Sequence, residues 1–187
     1  MKSYGCCDPN IIGYVDLNGD RVWEGAYGHT TLTNYRGTSI IVVDPLTCLV
    51  SDWSSFDTWG DSSQGGLLNS YLQGLSDGAV IVGVTGDEPT SNLGDAMATL
   101  QGLGVEVSDV GFRGSFVFVA QKGSPTKTQQ AKVLTESESV SNPAQMAASL
   151  SGIQNDVTAL WLTIVISNAH VTRIPKQTCN TFCDEAC

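Results

Sequence analysis

Three short runs of apolar and β-branched residues set the terms for any fold of this chain. They are residues 38–44 (Thr-Ser-Ile-Ile-Val-Val-Asp), 79–85 (Ala-Val-Ile-Val-Gly-Val-Thr) and 115–121 (Ser-Phe-Val-Phe-Val-Ala-Gln). Each is shorter than an ordinary helix and rich in residues that suit a pleated surface, so each reads as a buried strand. The third is apolar on both faces, which places it centrally in a sheet. Turn chemistry follows the first run at Asp44-Pro45-Leu46-Thr47-Cys48, and residues 49–56 return as a second strand.

Helical spacing appears between these strands. Leu67, Leu68, Tyr71, Leu72 and Leu75 share one stripe over residues 64–75, and Ser76-Asp77-Gly78 ends it. Leu93, Ala96, Met97 and Leu100 do the same over 91–103, with Gly102 and Gly104 at the exit. Residues 83–86 (Gly-Val-Thr-Gly) lack the lysine and the glycine spacing of a phosphate cradle and read as a turn. The polar stretch 124–151 suggests a short helix around 129–134 and another around 144–150. Residues 157–174 form the longest β-prone run and predict a strand. Upstream, residues 11–16 and 21–24 flank Leu17-Asn18-Gly19-Asp20, and Asn-Gly between apolar runs predicts a hairpin. Asp16, Asn18 and Asp20 also mimic a calcium loop, but Arg21 and Tyr27 stand where that loop needs its glycine and its bidentate glutamate.

The order predicts an α+β fold, with two antiparallel β-sheets flanked by two to three helices in a single compact, two-layer domain. Its divisions are a cysteine-containing tail (1–10), the domain (11–151), and a C-terminal strand with a cysteine-rich tail (152–187).

Composition narrows the function. The formal net charge of −10 carries no basic stripe, which excludes a nucleic-acid backbone and an anionic membrane surface as partners. The longest apolar stretch, 159–166, is far too short to span a bilayer, so membrane insertion is not expected. Residues 1–7 hold no apolar signal-peptide core, so secretion requires a leader removed ahead of Met1. Six cysteines, Cys6, Cys7, Cys48, Cys179, Cys183 and Cys187, cluster mainly in polar tails and read as a disulfide framework of an oxidising compartment. Their pairing is left open by the spacing. Cys179, Cys183 and Cys187 would share a helical face, but zinc sites use shorter spacings and a fourth ligand, so no metal is expected.

Catalytic constellations are missing. His29 and His170 form no triad spacing, and no nucleophile elbow, phosphate loop or dinucleotide fingerprint occurs, so neither catalysis nor a cofactor is expected. Asp57 and Asp61 flank Trp59, and Asp87-Glu88 follow a strand, but 19 acidic residues make such neighbours common by chance.

Four stretches in register carry a family likeness. Residues 36–44 (Arg-Gly-Thr-Ser-Ile-Ile-Val-Val-Asp) precede Phe56-Asp57-Thr58-Trp59-Gly60; residues 75–82 then run into Gly86-Asp87-Glu88; and 111–123 open with Gly111-Phe112-Arg113-Gly114. This order resembles the interleukin-like EMT inducer (ILEI) or GG domain. That domain occurs in secreted cytokine-like proteins, in cell-surface hyaluronan-related proteins and in the stem of an O-mannose N-acetylglucosaminyltransferase. The resemblance implies a non-catalytic secreted domain, with a sugar-binding accessory as its most concrete activity. Arg36, Trp53, Asp57, Trp59, Asp61 and Arg113 are the ligand candidates, because sugars take an aromatic face and planar hydrogen-bonding groups. The same residues have structural duties to offer: ion pairs for Arg36 and Arg113, a turn cap for Asp57, core packing for Trp59. Ser54 departs from the basic residue common in the family, and the C-terminal cysteines have no counterpart there, which suggests an added assembly role.

The expected partner is therefore a glycan or a cell-surface protein. The alternatives are a disulfide-crosslinked matrix protein and a secreted signalling ligand. A homo-oligomer through the C-terminal strand and tail cysteines is a further expectation. That strand must be covered either by its own sheet or by the edge of a neighbouring molecule.

Overall fold

Residues 80–87 form the axis of the molecule, a strand whose eight side-chain positions are all buried. The computed structural model describes residues 1–5, 12–26 and 36–148. Within them, strands β1 (Tyr4–Gly5), β2 (Ile12–Leu17), β3 (Asp20–Ala26), β4 (Gly37–Val43) and β5 (Val50–Phe56) precede helix α1 (Gln64–Gly74). Then come β6 (Val80–Asp87), α2 (Ala96–Gly102), β7 (Ser115–Gln121), β8 (Gln129–Val133) and α3 (Glu136–Ser141). The main sheet runs β5-β4-β6-β7-β8, all antiparallel, and β1 joins the end of β6 in parallel. β2 and β3 make the second, two-stranded antiparallel sheet.

Both faces of the main sheet are covered, which explains why its inner strands read as unbroken apolar runs. Val80, Val82, Val84, Val117 and Val119 meet Val15, Leu17 and Trp23 of the hairpin on one face. Ile81, Phe116, Phe118 and Ala120 meet Leu68, Leu72, Leu93 and Leu100 of the helical side on the other. The α+β class with two antiparallel sheets and flanking helices is thus the observed one. Its layers number three rather than two, because the hairpin packs as a cover and does not extend the sheet.

Local chemistry accounts for the elements. Asn18 and Gly19 take φ of 54° and 97°, the left-handed pair that a two-residue hairpin turn needs. In α1 only the Leu68–Leu72 side of the expected stripe is buried, while Leu67 stays half exposed. α2 is shorter than the spacing predicts. Gly94 at φ 50° breaks residues 91–95 into turns before the helix starts at Ala96.

Two corrections follow from tertiary pairing. Residues 83–86 are strand, not turn: Gly83 lies opposite Phe118, and its missing side chain makes the space the Phe118 ring occupies. Residues 129–133 are strand rather than helix, because pairing with β7 overrides the helix preference of Gln, Ala and Lys. Residues 144–148 are not helical either. The Ala144 carbonyl instead accepts the N–H and the hydroxyl of Ser3, binding the first residues to the end of the domain. The predicted strand 157–174, both histidines and every cysteine except Cys48 lie outside the described residues. Among the described residues no helix is long and apolar enough to cross a membrane.

Candidate functional site

Antiparallel order brings the start of β4, the ends of β5 and β6, the start of β7 and the end of β8 to one rim of the sheet. There β7 parts from β6. The ladder stops at Val84–Val117, and the Thr85 hydroxyl takes over, donating to the Phe116 carbonyl and accepting the Phe116 N–H, each at 2.9 Å. The last residues of β6, Gly86 and Asp87, pair instead with Tyr4 and Gly5 of β1.

Arg36 and Asp57 form an ion pair across this rim. Asp57 uses its other oxygen to accept the Gly60 N–H at 2.9 Å, so it caps the turn as its position predicts. The absence of a side chain at Gly60 makes room for this pair, because a Cβ there would sit 2.6 Å from Asp57 Oδ2 and overlap the Arg36 guanidinium. The 57–60 turn is tied down by Asn92, whose amide donates to the Trp59 carbonyl and whose N–H donates to the Thr58 carbonyl, both at 2.9 Å.

Glu88 organises the next loop. Fully buried, it accepts the Thr90 N–H (2.7 Å), the Thr90 hydroxyl (2.6 Å) and the Ser91 N–H (2.9 Å) on one oxygen. Its other oxygen accepts the Arg113 N–H. Asp87 and Arg113 are both left-handed, at φ 53° and 55°, a conformation that non-glycine residues adopt at a cost and that marks a constrained rim.

Arg113 donates to Glu136 Oε1 at 2.8 Å and reaches Asp87 Oδ1 at 3.6 Å, an ion-pair distance too long for a hydrogen bond. Asp87 is 4% exposed, and its Oδ1 and the buried Thr38 hydroxyl accept or donate no hydrogen bond within the described residues. Burial pushes the Asp87 carboxyl above the usual carboxylate range; Arg113 and Arg36 pull it back, and Glu88 and Asp57 push it further up. Trp59 meets Phe112 edge-on at 5.5 Å, and both rings are substantially exposed. The Arg113 guanidinium lies 5.1 Å from the Phe112 ring centre.

Four of the six sequence candidates, Arg36, Asp57, Trp59 and Arg113, therefore share this rim. Trp53 stands apart, on the middle of β5 opposite Ile41. Asp61 is engaged by the start of α1: it accepts the Ser63 N–H and hydroxyl at 2.8 Å, and these bonds hold its carboxyl below the usual range. Asp87, Glu88, Phe112 and Glu136 were not among the candidates. The acidic pair after an apolar strand was the one visible signal; the contribution of Glu136 depends on β8 returning to the rim.

Residues 36–124, which hold most of this rim, match the family model described as Interleukin-like EMT inducer. Protein FAM3C of Danio rerio is 34% identical over 96 residues, 50% of this chain and 41% of that protein. The human Cell migration-inducing and hyaluronan-binding protein is 30% identical over 107 residues, 56% of this chain and 8% of that protein. Human Protein FAM3B is 32% identical over 103 residues, 52% of this chain and 43% of that protein. The chain spans less than half the length of each of these curated relatives.

Proposed function

We propose, from the premise that the chain belongs to the interleukin-like EMT inducer family, that it is a secreted binding protein whose Arg36–Asp87–Arg113 rim holds a glycan. One observation carries the reading: a buried oxygen of Asp87 that makes no hydrogen bond among the described residues lies 3.6 Å from the Arg113 guanidinium, on the rim that also carries an exposed aromatic pair. Sugar hydroxyls both donate and accept, so they suit the open Asp87 oxygen, while Trp59 and Phe112 offer the apolar face a pyranose ring stacks on. Nothing in this arrangement pairs a nucleophile with a base. Support for an extracellular setting comes from the family and from Cys48, which is disulfide-bonded.

Charge selects among glycans. Arg36 and Arg113 pair with Asp57, Asp87 and Glu136, and Glu88 lies behind them on the Arg113 backbone, so the carboxylates of the rim outnumber its arginines. A neutral oligosaccharide therefore suits this rim better than a polyanionic one. Titration calorimetry with neutral and uronic-acid oligosaccharides tests this. Binding of the neutral sugar at about millimolar Kd or tighter, lost in Trp59→Ala, is expected. No binding by either sugar refutes the reading.

A second reading, a signalling ligand for a cell-surface protein, draws on the same exposed Trp59–Phe112 pair, since aromatic side chains also anchor protein interfaces. Cell-surface binding that survives removal of surface glycans would favour it.

A further inference from the structure

The Arg113 guanidinium stands between two carboxylates of opposite character: Asp87, whose side chain is 5% exposed, and Glu136, whose side chain is 46% exposed. We propose that Glu136 sets the charge specificity of the rim, by holding on Arg113 the place that the carboxylate of an acidic sugar would take. The proposal rests on the glycan reading of this rim and names the residue that turns acidic saccharides away.

Backbone contacts bring the two residues together. The Gly111 N–H donates to the Leu134 carbonyl at 2.9 Å, and a side chain at Gly114 would meet the Val133 carbonyl at 2.7 Å. The loop that carries Arg113 is thus held against the end of β8, and α3 starts just beyond Leu134, at Glu136. From the other side, Glu88 accepts the Arg113 N–H and fixes where that side chain begins. Arg113 Nη1 then donates to Glu136 Oε1 at 2.8 Å. A guanidinium reads a carboxylate through such charge-assisted bonds. A ligand carboxylate arriving at Nη1 therefore meets a donor already engaged and a like charge beside it.

The other carboxylates of the rim are fixed by further duties. Asp57 pairs with Arg36 but also accepts the Gly60 N–H, in a turn that Asn92 ties down through the Thr58 and Trp59 carbonyls. Asp87 is buried, and Glu88 is engaged by Thr90, Ser91 and the Arg113 backbone. Glu136, by contrast, accepts from Arg113 alone among the described residues. An ion pair this exposed is weak and exchangeable, so its carboxylate screens the arginine without holding the fold together.

Methyl β-glucoside and methyl β-glucuronide carry a hydroxymethyl or a carboxylate on the same ring, so the pair reads charge alone. Magnetic-resonance titration of the full chain with each sugar gives the two affinities. The natural protein is expected to favour the glucoside. In Glu136→Ala the affinity ratio is expected to move roughly tenfold toward the glucuronide, a gain that fades as salt is raised. Glu138→Ala removes the same charge from the same helix, where Glu138 accepts the Thr135 hydroxyl rather than Arg113, and is expected to leave the ratio unchanged. An equal gain in Glu138→Ala overturns the proposal, as does a gain that survives when Arg113→Met is added to Glu136→Ala. So does a Glu136→Ala protein with no improved glucuronide binding, whatever the natural protein binds. If the natural protein binds the glucoside in that case, the glycan reading stands and only the role of Glu136 falls. If Glu136→Ala takes the glucuronide through Arg113 while the natural protein binds neither sugar, the role of Glu136 stands and the neutral-glycan reading falls.

Discussion

Glu88 accepts the backbone N–H of Arg113, and this contact couples the loop after β6 to the loop before β7. The two residues lie 25 positions apart, yet the Arg113 guanidinium owes its place on the rim to a carboxylate that never faces solvent. Glu88 is thus a positioning residue: four donors converge on it, three from Thr90 and Ser91 and one from the backbone of Arg113.

Removing that carboxylate takes the acceptor from three part-buried backbone N–H groups. Glu88→Ala should destabilise the fold by about 3 kcal/mol. Glu88→Gln should cost less, because its carbonyl still serves the Thr90 side, while its amide meets the Arg113 N–H donor to donor. Urea unfolding should show a lower midpoint with an unchanged slope for both, in that order.

Asp87 gives a pH signature. Burial raises its folded-state pKa above the unfolded value of 3.8. Its stabilising contribution is therefore fully present below that unfolded value and is lost as pH rises through the raised one. Asp87→Asn should be more stable than the natural protein at about pH 7, and the difference should shrink as pH falls toward 4. Paired urea titrations across that range check it. A difference that stays flat would show that Arg113 and Arg36 offset the burial cost. The exposed Asp44, Asp61 and Asp109 have lowered values, so their contribution fades only below the unfolded 3.8.

The fold was legible wherever one physical signal dominated. Asn18-Gly19 announced its turn because both residues accept positive φ, and residues 115–121 announced an interior strand because both faces are apolar. Gly83 misled because a glycine inside a strand and one in a turn look alike until Phe118 is placed over it. Residues 129–133 misled because their side chains favour a helix and only β7 makes them a strand. At the rim, Arg36, Asp57, Trp59 and Arg113 stood out through their motifs. Glu136 could not, since nothing local to it records that β8 ends beside Arg113. The left-handed backbone at Asp87 and Arg113 leaves no trace in residue type.

Gly83→Ala tests the packing reading directly. The added methyl would lie within 2.6 Å of Phe118 Cδ1, in a core where Phe118 is fully buried and stacked near Phe116. Overpacking should cost about 3 kcal/mol, seen as a lower melting temperature. Pairing it with Phe118→Leu should recover part of the loss, because the smaller side chain vacates the ring's position.

Gly60→Ala separates the glycan reading from stability. Gly60 is exposed, and its φ lies outside the left-handed region, so the backbone itself accepts alanine. The new methyl instead intrudes between Arg36 and Asp57, which must part. That pair is partly exposed, and breaking it should cost no more than about 1 kcal/mol of stability. If Arg36 holds the sugar, moving its guanidinium should weaken binding at least tenfold while thermal unfolding shifts by only a few degrees. Arg36→Met should then lower affinity to the same level, and the double variant should add nothing further. Undiminished affinity in Gly60→Ala would take Arg36 out of the binding rim and leave Arg113, Asp87 and the Trp59–Phe112 pair to carry recognition alone.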